Sequence, residues 1–146
     1  MPISDQQRAE RSAAAMWASD DASKWFGMSL DAVGPGTATM SLTVQDCQTN
    51  GHDICHGGVI FALADSAFAF ACNSRNQVTV AQSNTITFVA PGKTGDRLTA
   101  VAAEVARSGR SGTWDATVTN QDGAVIALFR GLARTISGTL FDEDQQ

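Results

Sequence analysis

One carboxylate stands where carboxylates are rarely put. Between Val59 and Cys72 the chain reads VIFALADSAFAFAC, in which only Asp65 and Ser66 are polar. The length and the alanine content favour a helix over a strand. Burying an unpaired carboxylate costs several kcal/mol, and an isolated one takes up a proton before bearing that penalty. Asp65 therefore needs a partner or a use. The partner reading gives it a backbone amide or an arginine such as Arg130 or Arg134. The other reading makes it an acid, base or nucleophile in a partly desolvated pocket. On a helical wheel Gly58, Ala62, Ala69 and Cys72 lie within about 60° of Asp65, with Phe61 and Phe68 to one side. That face leaves room beside the carboxylate, while Val59, Ile60, Leu63 and Phe70 point away from it as core contacts.

Ahead of this run stands His56-Gly57-Gly58. Backbone N–H groups at a helix N-terminus have no partner inside the helix, and the helix dipole makes them a site for developing negative charge. Without a side chain at Gly57 or Gly58, a reacting carbonyl can approach those amides as an oxyanion hole; the same glycines also suit plain close packing. Gly57 and Asp65 are eight residues apart, which is roughly 12 Å along a helix. One carbonyl does not meet both. If both act on one substrate, they come from two chains whose helices run antiparallel across a twofold axis, so catalysis implies a dimer.

The rest of the composition narrows the classes. With 146 residues, 43% hydrophobic and 17% charged, the chain fits one domain with a core of its own. A net charge of −5 gives no broad positive field for a nucleic acid. The longest stretch free of charge, residues 76–92, mixes polar with apolar side chains and does not make a membrane span. Three cysteines, an odd number, and an N-terminus without a secretory pattern lead to the expectation of a cytoplasmic protein. His52, Asp53, Cys55 and His56 form a cluster of potential metal ligands, but near-successive loop residues rarely converge on one ion, so no metal is expected. Cys72 reads as packing.

The elements that must position Asp65 follow from periodicity. Ser4 with Gln7 resembles a capping box before an Ala-rich helix that runs to about Ser19. Residues 20–36 are rich in turn formers and read as short helical or irregular structure. Residues 37–44 alternate, with Ala38, Met40, Leu42 and Val44 on one side, and predict a half-buried strand. Residues 46–56 read as a loop with a turn at Asn50-Gly51. Residues 57–73 are the helix, which must be buried on all sides if it is apolar all round. Four strands follow, 77–90, 97–107, 112–119 and 124–136, as a meander joined by short turns. The class is α+β: one apolar helix covering an antiparallel sheet. Residues 1–36 form an N-terminal helical segment, 37–136 the core, and 137–146 a flexible acidic tail.

The segment NGHDICHGGVIFALADSAFAFACNS, residues 50–74, resembles the signature of hotdog-fold phenylacetyl-CoA thioesterases of the PaaI type. The likeness continues through TITFVAPG (85–92) and ALFRG (127–131). HGG before an apolar helix with one aspartate is shared by many hotdog proteins; the longer ADSAFAFACNS run and the FRG strand point to this subgroup. The resemblance implies a hotdog fold, a long central helix wrapped by a five- to six-stranded antiparallel sheet, in homodimers paired into homotetramers. It implies hydrolysis of phenylacetyl-CoA or hydroxylated phenylacetyl-CoA to free acid and coenzyme A, with coenzyme A as part of the substrate and no separate cofactor. By the same resemblance Asp65 is the nucleophile or the base that activates water, Gly57 the amide that polarises the carbonyl, Asn50 a residue that places water or thioester, and His56 the histidine beside the glycine. Phe61 and Phe68 become candidates for walling an aromatic acyl pocket, with plain core packing as the alternative reading. Coenzyme A phosphates need local cations on an acidic protein. Arg107 and Arg110 are the candidates, with Arg75, Lys93 and Arg97 behind them, and solvated surface arginines are the alternative. Gly58 completes the candidate substrate contacts.

Two other functions compete. A hotdog hydratase or dehydratase would use His56 with Asp65 as acid and base, but the usual hydratase histidine motif is missing. A non-catalytic acyl-CoA-binding protein would bind without turnover.

Overall fold

The first helix begins where the sequence places it. Ser4 Oγ accepts the Gln7 N–H and Gln7 Oε1 accepts the Ser4 N–H, so both halves of the capping box start α1 (Asp5–Ala18). The computed structural model describes residues 2–145. Asp20 then caps α2 (Asp21–Trp25) through the Ser23 N–H.

Residues 20–36 are more regular than their composition suggests. After α2 they form β1 (Ser29–Gly34), which turns at Pro35-Gly36 into β2 (Thr37–Thr43) and pairs with it antiparallel. The register of β1 shifts between Leu30 and Ala32. That irregularity breaks the period of two by which a strand is recognised, so SLDAVG shows no alternation. In β2 the expected face is buried: Ala38, Met40 and Leu42, with Val44 just beyond.

The remaining strands are β3 (Thr79–Phe88), β4 (Arg97–Ser108), β5 (Ser111–Thr119) and β6 (Val125–Thr135). The sheet order is β1-β2-β4-β5-β6-β3. The meander expected for all four holds only for β4, β5 and β6. β3 pairs with β6 and ends the sheet, while β4 lies between β2 and β5. The connection from β3 to β4 does not make a tight turn. It passes the loop before the central helix, where Cys55 N–H donates to the Gly92 carbonyl and Gly95 N–H to the Val44 carbonyl, each at 2.8 Å.

The central helix, α3 (Gly57–Cys72), lies in the curl of this sheet and packs chiefly on β2, β4 and β5. Leu63, Ala64, Ala67 and Ala71 are fully buried with Leu42, Leu98, Ala100 and Val118. An aromatic group closes the β5–β6 side. Phe68 stands 6.0 Å from Trp114 and 5.7 Å from Phe129, and Phe61 stands 5.7 Å from Phe129. Gly131 is the place where this group meets backbone: a methyl there would come within 2.6 Å of the Phe68 ring. The glycine of the FRG strand is thus required by a ring above it.

Burial on all sides is not what α3 shows. Gly58 is exposed, and Phe61, Ala62, Asp65 and Ala69 are half-buried. These residues fall on one stripe of the helix by their spacing of three and four, and the single chain leaves that stripe uncovered.

The acidic tail, expected to be flexible, is laid against the body. Leu140 and Phe141 donate their N–H groups to Asn76 Oδ1, and Asn76 Nδ2 donates to the Phe141 carbonyl. Arg8 pairs with Glu143 at 2.6 Å, and the Arg11 guanidinium sits 4.3 Å from the centre of the Phe141 ring. Glu143 finds Arg8 of α1 while Arg11 bonds the Asp142 and Gln145 carbonyls, a pairing of distant segments that composition does not show. Gln146, the last residue of that tail, lies outside the described residues.

Candidate active site

His56 sets up the start of α3. Its Nδ1 accepts the Gly58 N–H at 2.8 Å, a side-chain cap of the first turn. Gly58 is therefore already engaged. The Gly57 N–H has no acceptor among the described residues and carries the positive end of the helix dipole. The Phe88 ring lies over Gly57, where an added Cβ would stand 2.9 Å from the ring tip.

Asn50 sits beside this amide. A short loop, closed by the Thr49–Cys55 bridge, is tied by Asn50 Oδ1, which accepts the His52 N–H at 2.9 Å. This is an Asx turn. It leaves Asn50 Nδ2 without an acceptor among the described residues. Asn50, Gly57, Ile60, Phe88 and Pro91 line one cleft of about 490 Å³. The structure thus brings Asn50 and Gly57 together.

Asp65 does not line that cleft. The helix between it and Gly57 is continuous, so the axial separation of roughly 12 Å stands. Its carboxylate is half-buried, and among the described residues no arginine pairs with it. Arg130 makes a two-pronged bond to Asp115 instead, at 2.7 and 2.9 Å. The partner of Asp65 is Asn84, whose Nδ2 donates to Asp65 Oδ1 at 2.9 Å. Burial pushes the Asp65 pKa above the usual aspartate value, and the Asn84 amide opposes that rise.

Asn84 was not among the residues singled out from sequence. Its strand alternates Asn84, Ile86 and Phe88 against Ser83, Thr85 and Thr87, and an asparagine among threonines gives no sign of which set faces inward. A bulge between Ala81 and Ser83 decides it: Ala81 pairs with Ala133, yet Asn84 pairs with Gly131. The extra residue, Gln82, brings Asn84 to the helix side.

The other candidates are spread out. Phe61 is half-buried on the stripe that carries Asp65. Phe68 is 1% exposed and belongs to the core, so only Phe61 keeps a place from which to touch a ligand in this chain. Arg107 pairs with Glu104 at 2.9 Å, and Arg75 shares the same carboxylate at 2.8 Å. Arg110 lies exposed in the turn after β4, with its carbonyl accepting the Thr135 N–H. Arg97 opens β4 and donates to Ser41 and Thr43; Lys93 follows two residues after Pro91 of the cleft. Arg97 and Arg107 are ten residues apart on one strand, or roughly 33 Å at about 3.3 Å per residue. The five cations therefore form two groups, with Lys93 and Arg97 at the cleft end.

Among the described residues no group of histidine, cysteine and carboxylate side chains could hold a metal ion, and no helix is long and apolar enough to cross a membrane. The three cysteines are free. Burial pushes Cys55 up to about 11 and Cys72 up to about 12, which leaves both as neutral thiols at physiological pH and poor nucleophiles.

A helix wrapped by an antiparallel sheet, with an open amide at its N-terminus and a half-buried carboxylate two turns on, is the hotdog arrangement. The chain belongs to the thioesterase superfamily, whose family model matches residues 52–127. Acyl-coenzyme A thioesterase PaaI of Escherichia coli is 40% identical over 93% of this chain and 97% of its own length. The solved structure of that E. coli protein, from the phenylacetic acid degradation operon, superposes with a TM-score of 0.91 at 40% identity, covering 93% of this chain and 99% of the other. A mutant of the phenylacetic acid degradation protein PaaI of Thermus thermophilus gives 0.77 at 34% identity over 80% of this chain and all of its own. The smu.793 protein of Streptococcus mutans, solved with acetyl-CoA, gives 0.73 at 25% identity over 77% of this chain and 90% of its own.

Proposed function

We propose that this protein hydrolyses acyl-CoA thioesters, with phenylacetyl-CoA or a hydroxylated phenylacetyl-CoA as the substrate class. One observation carries the reading: the Gly57 amide and the half-buried Asp65, neither of them paired with a cation or acceptor that would occupy it among the described residues, stand two turns apart on one helix. A thioester needs its carbonyl polarised by N–H donors and an attacking oxygen set opposite. The Gly57 amide, at the positive end of α3, takes the developing oxyanion, and the free Nδ2 of Asn50 offers a second donor in the same cleft. Asp65 acts as base or nucleophile. His56 shapes the amide by taking the neighbouring N–H on its Nδ1. The chemistry asks for no metal and no cofactor beyond the coenzyme A of the substrate.

The separation of Gly57 from Asp65 makes the working unit a dimer in which each cleft takes its carboxylate from the partner. Two features support that reading. The uncovered stripe of α3 lies beside β3, since Asn84 of β3 reaches Asp65, and β3 is the last strand of its sheet with one edge free to pair. A dimer formed there, and paired again into a tetramer, covers both. The E. coli relative's name and the acetyl-CoA held by the S. mutans protein support acyl-CoA as the substrate, and the operon of the E. coli protein supports the aryl-acetyl group.

The test is thiol release from phenylacetyl-CoA, short-chain and long-chain acyl-CoAs. Phenylacetyl-CoA is expected to give the highest kcat/KM, and Asp65→Ala to remove it. Absence of thiol release from every thioester, or full activity in Asp65→Ala, overturns the reading.

A further inference from the structure

We propose that Phe88 selects the acyl group, its ring forming the wall against which an aromatic acyl chain packs beside the Gly57 amide. That role rests on thioester hydrolysis at Gly57 as proposed above. Phe88 is 52% exposed, yet its ring has a defined seat. The ring tip stands where a side chain of residue 57 would begin: a Cβ built on Gly57 would lie 2.9 Å from Cζ and 3.3 and 3.5 Å from the two Cε atoms. Only glycine at 57 leaves that seat open.

Strand pairing and loop bonds hold the ring there. Phe88 ends β3 and pairs with Ala127 of β6. Directly after it, Val89 and Ala90 donate their N–H groups to the Ile126 carbonyl at 2.8 and 3.2 Å, and Cys55, two residues before Gly57, donates to the Gly92 carbonyl at 2.8 Å. The exit of β3 and the start of α3 are tied to each other, and the ring is carried with them.

Distance then places the ring beside the reacting group. The amide nitrogen and the Cβ position of one residue are about 2.5 Å apart by covalent geometry, and a carbonyl oxygen that accepts the N–H stands about 2.9 Å from the nitrogen. A chain leaving that carbonyl into the cleft comes within van der Waals reach of Phe88.

A thioester has two such chains, and the cleft fits one of them. Phe88 is the one aromatic side chain in its lining; Ile54, Ile60, Val89 and Pro91 add apolar surface, and Asn50 adds its amide. The N–H groups of Cys55, Val89 and Ala90 are spent as above, Ile54 donates its own to Asn50 Oδ1, and Pro91 has none. The Gly57 N–H and Asn50 Nδ2 go to the reacting oxygen. The loops lining the cleft keep no donor for the amide carbonyls of a pantetheine arm, and burying those without partners opposes binding. An aryl group asks for no donor. It gains instead from an offset or edge-to-face contact with Phe88, the arrangement aromatic pairs prefer. Phe61, singled out from sequence for this role, does not line the cleft; it lies on the open stripe with its ring 5.7 Å from that of Phe129.

The experiment measures kcat/KM for phenylacetyl-CoA and butyryl-CoA in the wild type, Phe88→Leu and Phe88→Tyr. Leucine keeps apolar bulk without a ring, and tyrosine keeps the ring. The aryl-to-butyryl ratio is expected to fall about tenfold in Phe88→Leu, the size of one aromatic contact with the area lost beside it, and to return to within about twofold of the wild type in Phe88→Tyr. A residue that only packs on Gly57 or against a second copy lowers both substrates together, so an unchanged ratio in Phe88→Leu overturns the proposal. So does a ratio that moves in Phe61→Leu and not in Phe88→Leu. Should the wild type release no thiol, the thioesterase reading falls, and calorimetric binding of the non-hydrolysable thioethers S-phenethyl-CoA and S-butyl-CoA judges Phe88 by itself. There the affinity ratio is expected to fall in Phe88→Leu; an equal ratio, or a wild type that binds neither thioether, overturns the proposal.

Discussion

Replacing Asp65 by asparagine keeps the shape of the side chain and removes its charge, so its effects on stability and on rate are expected to have opposite signs. The carboxylate is half-buried and receives one protein hydrogen bond, from Asn84. Taking an ionised carboxyl out of water costs several kcal/mol, and a hydrogen bond to a charged group returns about 1.5–3 kcal/mol. The difference leaves a net penalty on the order of 1 kcal/mol in the ionised protein. Asparagine avoids the charge while its Oδ1 still accepts from Asn84. The pH dependence follows from the raised pKa. A group whose folded pKa exceeds its unfolded one contributes stability that is present below the unfolded value and is lost as pH rises through the folded value. The wild type should therefore fall below Asp65→Asn as pH rises out of the carboxylate range, and the two should converge in acid. At pH 8 the variant is expected to melt about 3 °C higher. Thiol release should drop by roughly 10²- to 10⁴-fold, the usual contribution of a positioned acid–base group. The assay is thermal unfolding from pH 4 to 8 at one fixed protein concentration, since association moves the midpoint, alongside thiol release. A variant no more stable than the wild type at pH 8, or a stability difference that does not shrink in acid, refutes the reasoning.

Other substitutions test other parts of the structure. Gly57→Ala places a methyl 2.9 Å from the half-exposed Phe88 ring, which can swing away; its melting point should stay within about 2 °C while kcat falls by roughly 10- to 100-fold, because the methyl crowds the oxyanion amide. Gly131→Ala meets the buried Phe68 ring, which cannot move, so a loss of about 1–3 kcal/mol by urea unfolding is expected, partly restored by adding Phe68→Leu. Asn76→Ala removes four hydrogen bonds to the tail and should expose residues 139–145 to limited proteolysis, with the pattern unchanged if the tail is held by Arg8 and Arg11 alone. Lys93→Glu and Arg107→Glu separate the two cation groups: the one that raises KM for phenylacetyl-CoA without raising it for a truncated thioester lacking the nucleotide is the group that holds the phosphates.

Much of the site was legible because local chemistry states it. Asp65 declares itself by standing in an apolar run, His56-Gly57-Gly58 by the open helix terminus, and the eight-residue gap by helix rise alone; each depends on neighbours in sequence, where the geometry of a helix is known in advance. The first helix and the inward face of β2 were legible for the same reason. What the chain does across long distances was not. β3 leaves β4 and joins β6 because the loop between them is tied to residues before α3, and a bulge at Gln82 rather than the alternation of side chains turns Asn84 toward Asp65. The acidic tail finds Arg8 and Arg11 from the far end of the chain. Phe61 and Phe68 sit side by side on a wheel, yet the sheet buries one and leaves the other at the open stripe. The residue types and their helical spacing determined the chemistry this protein carries. Which partner holds its carboxylate, and which face stays open to a second copy, was decided by strand pairing and register, which depend on contacts between segments that local periodicity does not encode.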